Sequence, residues 1–531
     1  MAEDEAFSHE QAGRPLEAIA AYERSLQEYP EDCTTLVNFA LLLKYRGDLQ
    51  RSEQLLRRAL DIQPSKCRTD AIRLLDGGKL FGDTECPTDV LARSANVLRR
   101  TLQANGYTMT AVRARLLSHG AQGGPPTGTE LMMLRYDNEL MDCLQCADSQ
   151  GMLLLLFAVG AAIPSEEVTR SLGESNTSEL VECGLLLRLQ PWNVLAAPMQ
   201  VYPLQWREFQ DVHSESDGSR ESDDLLVATD FDAESLLPTK FAVMAVGVDS
   251  LNLAYAQRDM PCGPAGSSCR RILDVCCGSG VQALVAAKLS RSASVVALDV
   301  NPRAIRFCKF NALVNNVAGR LSSRISDVYA ALDGEEPFDT VLANPPFVAV
   351  PPLPTESDTN AEWALYADGG PDGVEVLNRI IRGAADPQLL RPGGLLAIVS
   401  EFPNLRSAHE WIPAAVAAAN KKHQLEITVV FNPRHIQDAK EYADERAAER
   451  GWPWASLERW ETSLCDCGVD HVGPGLLFAI NREAPVESGR LHAGVSCPLE
   501  LGVESENQVM LLMARKEVSA VMGNVITGAL R

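Results

Sequence analysis

Apolar residues in the first hundred positions recur at helical spacing, and the helices they predict repeat. Gly13 recurs as Gly47, Tyr22 as Leu56, Leu26 as Leu60 and Pro30 as Pro64, all at a spacing of 34. The segments GRPLEAIAAYERSLQEYP and GDLQRSEQLLRRALDIQP each read as a glycine turn followed by an amphipathic helix that proline stops. Two such units cannot bury their faces alone, so Thr69 to Asn105, with Leu91, Val97, Leu98 and Leu102 on one helical face, is expected to cap them. GAQGGPPTG, ending at Gly128, punctuates the chain. Helical patterns then run from Leu131 into LLLRLQPWNVLAAP, a stretch suited to a β-ribbon, which predicts three helices and a wing up to Pro203. The acid-rich run Asp211 to Asp224 reads as a solvated linker or long loop. Beyond Cys269 short apolar strands alternate with helices, the pattern of a parallel sheet wrapped by helices. Its strands are Arg271–Val275, the one ending in Asp299, the one before Asp327, Phe338–Ala343, Gly393–Ser400, Leu425–Phe431 and Gly475–Ile480, with Ala439 to Cys467 an inserted helical segment.

Composition adds limits. The chain has 531 residues, enough for several cores, and a net charge of −23, so any nucleic-acid partner needs a local basic patch. The longest apolar run, Met152 to Pro164, is about half of a bilayer span and reads as a buried helix. The acidic N-terminus has neither a signal core nor transit-peptide character, which points to a cytoplasmic or nuclear protein. Cysteines such as Cys33, Cys67, Cys86, Cys183, Cys308 and Cys497 show no disulfide ladder. The CxxC at Cys143 and Cys146 lacks a second pair, and Cys465 and Cys467 beside His471 are spaced too closely for a zinc knuckle, so no metal is expected.

The chemistry lies in four turns of the sheet region. RILDV, containing Asp274, runs into CCGSG and then a helix, so Gly278 and Gly280 let backbone approach a ligand at the helix N-terminus. The next strand ends in Asp299, placed to accept both ribose hydroxyls of a nucleoside. Asp327 follows a third strand, where its carboxylate can meet the exocyclic amine of adenine. The fourth strand delivers Asn344, Pro345, Pro346 and Phe347 at its carboxyl end, where open α/β sheets bind ligands. Two prolines cannot continue a ladder, so this loop is rigid.

Taken together, DVCCGSG, LDVNP, SDVY and NPPF resemble a class I S-adenosylmethionine-dependent methyltransferase, and NPPF narrows the resemblance to amino-methyltransferases: HemK-type release-factor glutamine methyltransferases and RNA or DNA base N-methyltransferases. The segments VGVDSLNL and ADGGPDGVEVL fit the HemK-like branch. One departure is Cys276, where the family usually has glycine. The N-terminal units resemble tetratricopeptide repeats. The resemblance implies S-adenosylmethionine as cofactor, held by Asp274, Cys276, Gly278, Gly280, Asp299, Val300, Asp327, Val328 and Asn344, and catalysis by Asn344, Pro345, Pro346 and Phe347. The Asn344 oxygen and the Pro345 carbonyl would accept the two N–H bonds of a planar acceptor while Phe347 packs on its face.

The expected architecture is α/β. TPR-like repeats occupy 1–105, a helical, winged-helix-like domain 129–210, an acidic linker 211–224, a Rossmann-like seven-stranded class I methyltransferase domain 225–482 and a C-terminal extension 483–531. The expected activity is N-methylation of a protein glutamine, with an RNA or DNA base amine as one alternative and a scaffold with a passive cofactor domain as another. The repeats are expected to bind a protein partner or substrate, and no membrane is expected.

Overall fold

The computed structural model describes residues 2–63, 74, 78–82, 85–117, 126–134, 148–205, 224–231, 239–257, 260, 270–352, 363–408, 411–412, 424–448 and 456–482. The CxxC, the Gly/Pro-rich run up to residue 125, nearly all of the acidic run and the C-terminal extension lie outside these residues.

Four helices, α1 (Ala2–Gln11), α2 (Pro15–Glu28), α3 (Cys33–Tyr45) and α4 (Leu49–Ile62), open the chain as two packed pairs. Gly13 and Gly47, related by the recurrence, both sit at left-handed φ, +62° and +78°, so the chain reverses between helices without a Cβ penalty. The Asp32 and Asp48 side chains accept from the N–H groups of Thr34 and Arg51 and cap α3 and α4. Ala18, Tyr22, Phe39 and Leu43 form a small core between the pairs.

The next two helices, α5 (Gly78–Phe81) and α6 (Thr88–Ala104), share one apolar core with Leu36 of α3 and Ala59 and Leu60 of α4, and this core reaches further into the sheet domain. The buried face of α6, including Leu91, Ala95 and Leu98, packs on the helix of residues 302–314. Phe81 stacks on Phe307 with ring centroids 3.9 Å apart and meets Phe310 edge-on at 5.3 Å. All three rings are fully buried, and this aromatic burial draws the segment onto the sheet domain. Residues 78–104 therefore share the core of the sheet region, across the expected boundary at 105.

After α7 (Met109–Leu117), α8 (Gly128–Met133) and α9 (Ser149–Leu153) the chain makes a buried π-helical turn, Leu154–Val159, that ends at Gly160 in left-handed conformation. No described helix is long and apolar enough to cross a membrane. A three-stranded sheet of β1 (Ile163–Pro164), β2 (Leu187–Leu189) and β3 (Val194–Ala196), ordered β1-β3-β2, flanks α10 (Ser165–Leu172) and α11 (Glu174–Glu182). β4 (Gln200–Leu204) then pairs antiparallel with β5 (Leu225–Thr229). Of the two readings of the acidic run, linker or long loop, the second fits: the run joins two strands that pair with each other. Asn311 exchanges hydrogen bonds with the Ala228 backbone at 2.8 and 2.9 Å, and Asn315 with that of Leu226 at 3.0 and 2.8 Å. Two side chains one helical turn apart thereby stand in for a further strand and satisfy the β5 edge.

The large sheet comprises β6 (Arg271–Val275), β7 (Ser294–Asp299), β8 (Leu321–Ile325), β9 (Phe338–Ala343), β10 (Leu390–Pro403), β11 (Gln424–Phe431) and β13 (His471–Arg482) in the order β11-β13-β10-β9-β6-β7-β8. β10 through β8 run parallel, while β13 is antiparallel to both β10 and β11. The two-residue β12 (Gln437–Asp438) pairs with the start of β13 and makes eight strands where seven were expected. Helices α12 (Val248–Ala256), α13 (Val281–Leu289), α14 (Pro302–Val314) and α15 (Glu375–Ala384) cover the sheet, and α16 (Ala439–Ala448) and α17 (Leu457–Asp466) form the insert. From β6 the chain winds outward to β7 and β8, then returns to place β9 on the other side of β6. This reversal opens a crevice at the carboxyl end of β6.

Candidate active site

The glycine turn after β6 lines the crevice. Gly278 and Gly280 hold φ of +51° and +88°, and Cys276, in place of the usual glycine, holds +57°. Gly278 faces open space, whereas a Cβ on Gly280 would lie 2.8 Å from the Cys308 sulfur. The first leaves backbone accessible, and the second lets α13 start against α14. Asp299, at the end of β7, accepts from the N–H groups of Gly278 and Asn301, each at 2.8 Å. Asp274 is buried within β6; one carboxylate oxygen accepts from Ala283 N–H at 2.9 Å and the other has no partner among the described residues. Burial pushes the Asp274 carboxyl up to about 8 and raises those of Asp249 and Asp299 as well. Asp327, read as an adenine contact, turns its carboxylate to Arg379 at 2.7 Å.

A lid over this crevice comes from the chain before β6. Asp230 pairs with Arg303 in a buried ion pair and accepts from Val243 N–H at 2.9 Å, while Asn301 donates to the Phe241 carbonyl at 3.0 Å. These bonds fix Ala242 to Ala245 against the cavity, which encloses about 190 Å³.

On the other side stands the NPPF loop. Its backbone rests on the ADGGPDG segment: Val348 N–H donates to the Ala367 carbonyl at 2.9 Å, and Gly369 N–H returns a bond to the Val348 carbonyl at 3.0 Å. A Cβ on Gly373, at φ +75°, would lie 2.5 Å from the Phe347 carbonyl oxygen. These glycines allow two backbones to touch, which a plain turn before a helix would not need. Tyr442 from α16 lends its hydroxyl oxygen to Ala349 N–H at 3.3 Å, and Trp363, Trp460 and Tyr45 pack in the same cluster.

The Asn344 side-chain amide donates to Asp249 at 2.7 Å and to the Ser250 hydroxyl at 3.2 Å, while its carbonyl oxygen is buried with no partner among the described residues. A second cavity of about 700 Å³ extends from this point toward Glu401 and Arg446, which form an ion pair of 2.9 Å. The two cavities share Met244, Asp249, Phe347 and Tyr366. Of the residues named from sequence, Cys276, Gly278, Asp299, Val300, Asp327, Val328, Asn344, Pro346 and Phe347 line the first cavity, whereas Asp274, Gly280 and Pro345 lie behind its wall. Asp249, Ser250, Tyr366 and Asp368 also line it and were not singled out. The segments holding Asp249 and Asp368 carried a visible pattern, but nothing local marks which side chain turns inward. No His, Cys, Asp and Glu cluster fit for a metal occurs among the described residues. His471 instead accepts from Arg406 N–H at 3.0 Å.

The methyltransferase small domain family matches residues 264–364, the span of the glycine turn, Asp299, Asp327 and NPPF. The chain is 40% identical over 130 residues to the release factor glutamine methyltransferase of Moorella thermoacetica, covering 24% of this chain and 44% of that one. It is 35% identical over 147 residues to the ribosomal protein uL3 glutamine methyltransferase of Bradyrhizobium diazoefficiens, covering 25% and 44%. The chain thus spans less than half the length of either relative. Among solved structures, TrmN from Thermus thermophilus is 20% identical over 43% of this chain and 52% of its own, with a TM-score of 0.24.

The sheet region is similar to S-adenosylmethionine-dependent methyltransferases. The donor set fits that cofactor. A cavity walled by Asp299 and Asp327, with the unpartnered Asp274 oxygen behind it, suits a ligand bearing hydroxyl and ammonium donors and a positive sulfur.

Proposed function

We propose that this chain methylates a planar nitrogen, that of a protein glutamine side chain, with S-adenosylmethionine as donor. When bound, the cofactor supplies the methyl group as an electrophile. Asp299 holds the ribose hydroxyls, Gly278 and Cys276 offer backbone at the turn, Val300 and Val328 flank the base, Asp327 reaches the adenine amine in competition with Arg379, and Asp274 and Gly280 hold the turn in shape. An amide nitrogen has no freely available lone pair, so the chain must place it. Asn344 accepts one N–H, Pro346 keeps the loop rigid, and Phe347 packs on the planar group; the Pro345 carbonyl, which lines neither cavity in this state, would take the other N–H only if the loop turns it toward the acceptor. No strong base is required, because the proton leaves once the nitrogen is cationic.

The observation that carries this reading is the Asn344 carbonyl oxygen, buried, unpartnered and in a side chain beside the junction of the two cavities. The larger cavity takes the acceptor segment. The names of the relatives, both glutamine methyltransferases, support a protein acceptor. So does the net charge of −23, which opposes a polyanion. The recurring N-terminal helices act as TPR-like units that bind the protein partner or substrate, the winged-helix-like region of 129–210 serves as a support, and the protein works in the cytoplasm or nucleus.

The test is transfer of radiolabelled methyl from S-adenosylmethionine into cell extract treated with RNase and DNase or with protease. Label that survives the nucleases, is lost on proteolysis and maps to glutamine is expected. Label in RNA or DNA would replace the acceptor assignment, and failure to bind the cofactor would favour a passive scaffold.

A further inference from the structure

A carboxamide is nearly symmetric in shape and opposite in chemistry at its two ends. Turned one way, Asn344 presents an acceptor oxygen on the smaller cavity, beside its junction with the larger one; turned the other, it presents an N–H₂ that would repel any N–H-bearing acceptor. Something must choose. Of its two partners, the Ser250 hydroxyl can donate or accept and so does not discriminate. An ionised carboxylate only accepts, and Asp249 stands 2.7 Å from the Asn344 amide nitrogen.

We propose that Asp249 is the positioning residue that fixes the orientation of the Asn344 carboxamide and thereby restricts the site to acceptors that carry N–H. This rests on the proposed N-methylation. The reversed orientation would set the Asn344 oxygen against the carboxylate, losing a charge-assisted bond and gaining repulsion. The fold prepares the Asp249 side chain in three ways. It sits in the first turn of α12, where the helix end favours negative charge. The backbone amides of residues 249 and 250 favour its charged form against the effect of burial. Two residues before it stands Gly247, where a Cβ would lie 2.5 Å from the Asp249 carboxylate oxygen.

The lock has an acid limit. A protonated Asp249 becomes a donor as well as an acceptor and tolerates either orientation of Asn344. Burial outweighs the hydrogen bonds and raises this carboxyl above its ordinary value, so the lock opens at a higher pH than an exposed aspartate would give. The other charged side chains on the two cavities are Asp299, Asp327 and Asp368 on the cofactor side and Glu401, Glu445 and Arg446 on the other.

Two readouts on the full chain test this. In protein labelled with ¹⁵N-asparagine, the Asn344 side-chain N–H₂ signal, assigned by its loss in Asn344→Ala, should shift on acidification with a midpoint above that of free aspartate. In Asp249→Asn that titration should vanish. A signal that ignores both pH and the substitution would overturn the lock, whatever the acceptor proves to be. On the acceptor found in extract, Asp249→Ala should lower kcat about tenfold, with S-adenosylhomocysteine affinity held. In an Asn344→Ala background it should cost nothing more. An unchanged kcat, or the same loss in both backgrounds, would overturn the positioning role, with Asp249→Asn serving if the alanine variant does not fold. Full turnover in Asn344→Ala alone would instead remove the N-methylation reading.

Discussion

The two walls of the site are built on opposite plans. The cofactor wall comes chiefly from Cys276 to Val328, the turns that follow three successive strands, whose spacing follows from the winding of a parallel sheet. The acceptor wall gathers Asp249, the NPPF loop, the GGPDG glycines, Glu401 and helix α16, segments separated by up to about 200 residues. A wall made of consecutive turns leaves little to vary without losing the ligand. A wall assembled from distant pieces can be retuned piece by piece, so acceptor choice is where such enzymes can diverge.

The contrast predicts separable failures. The largest effect is expected from Asn344→Ala, which removes an aligned acceptor on the far wall: turnover should fall about a hundredfold while S-adenosylhomocysteine titrates almost as in the unaltered protein. Parallel losses in both, measured by kinetics and calorimetry, would merge the two walls into one. Asp299→Ala should do the reverse, weakening S-adenosylhomocysteine by roughly ten- to a hundredfold, since charge-assisted bonds to hydroxyls are worth about 1.5–3 kcal/mol each. Undiminished affinity would take the ribose away from Asp299.

The smallest effect concerns Asp274 and stability. The folded protein holds its proton more tightly than the unfolded chain, because burial lifts the carboxyl from 3.8 to about 8. The contribution of Asp274 to folding stability should therefore be fully present below about pH 4, fall as pH rises to about 8, and level off above. Asp274→Asn keeps an acceptor for Ala283 N–H and cannot ionise, so Tm against pH should flatten across that window and rise by a few degrees at neutral pH. An unchanged slope would mean that Asp274 is ionised in the fold.

The same contrast explains what the sequence makes legible. The strands, the glycine turn, Asp299 and NPPF are visible because each is a local pattern tied to a period or a tight turn. Asp249 is not, since its meaning depends on Asn344, ninety-five residues on and in contact only after the sheet forms. The face of α6 reads as amphipathic in the sequence, but its partner does not: the period that predicts a cap is silent about Phe81 finding Phe307. The pairing of β4 with β5 was hidden by the acidic run between them, which composition alone reads as a linker or a long loop. Asp327 was read for its position after β8, and only the fold brings Arg379 to its carboxylate.

The Phe81–Phe307 stack also bears on how the chain is made. The two rings are more than two hundred residues apart, and synthesis at about 5–20 residues per second separates their emergence by roughly ten to fifty seconds. Through that interval the face of α6 can already meet α3, α4 and the helix Glu174–Glu182, which are made earlier, but the aromatic stack stays incomplete until α14 emerges with the segment that carries the cofactor turns.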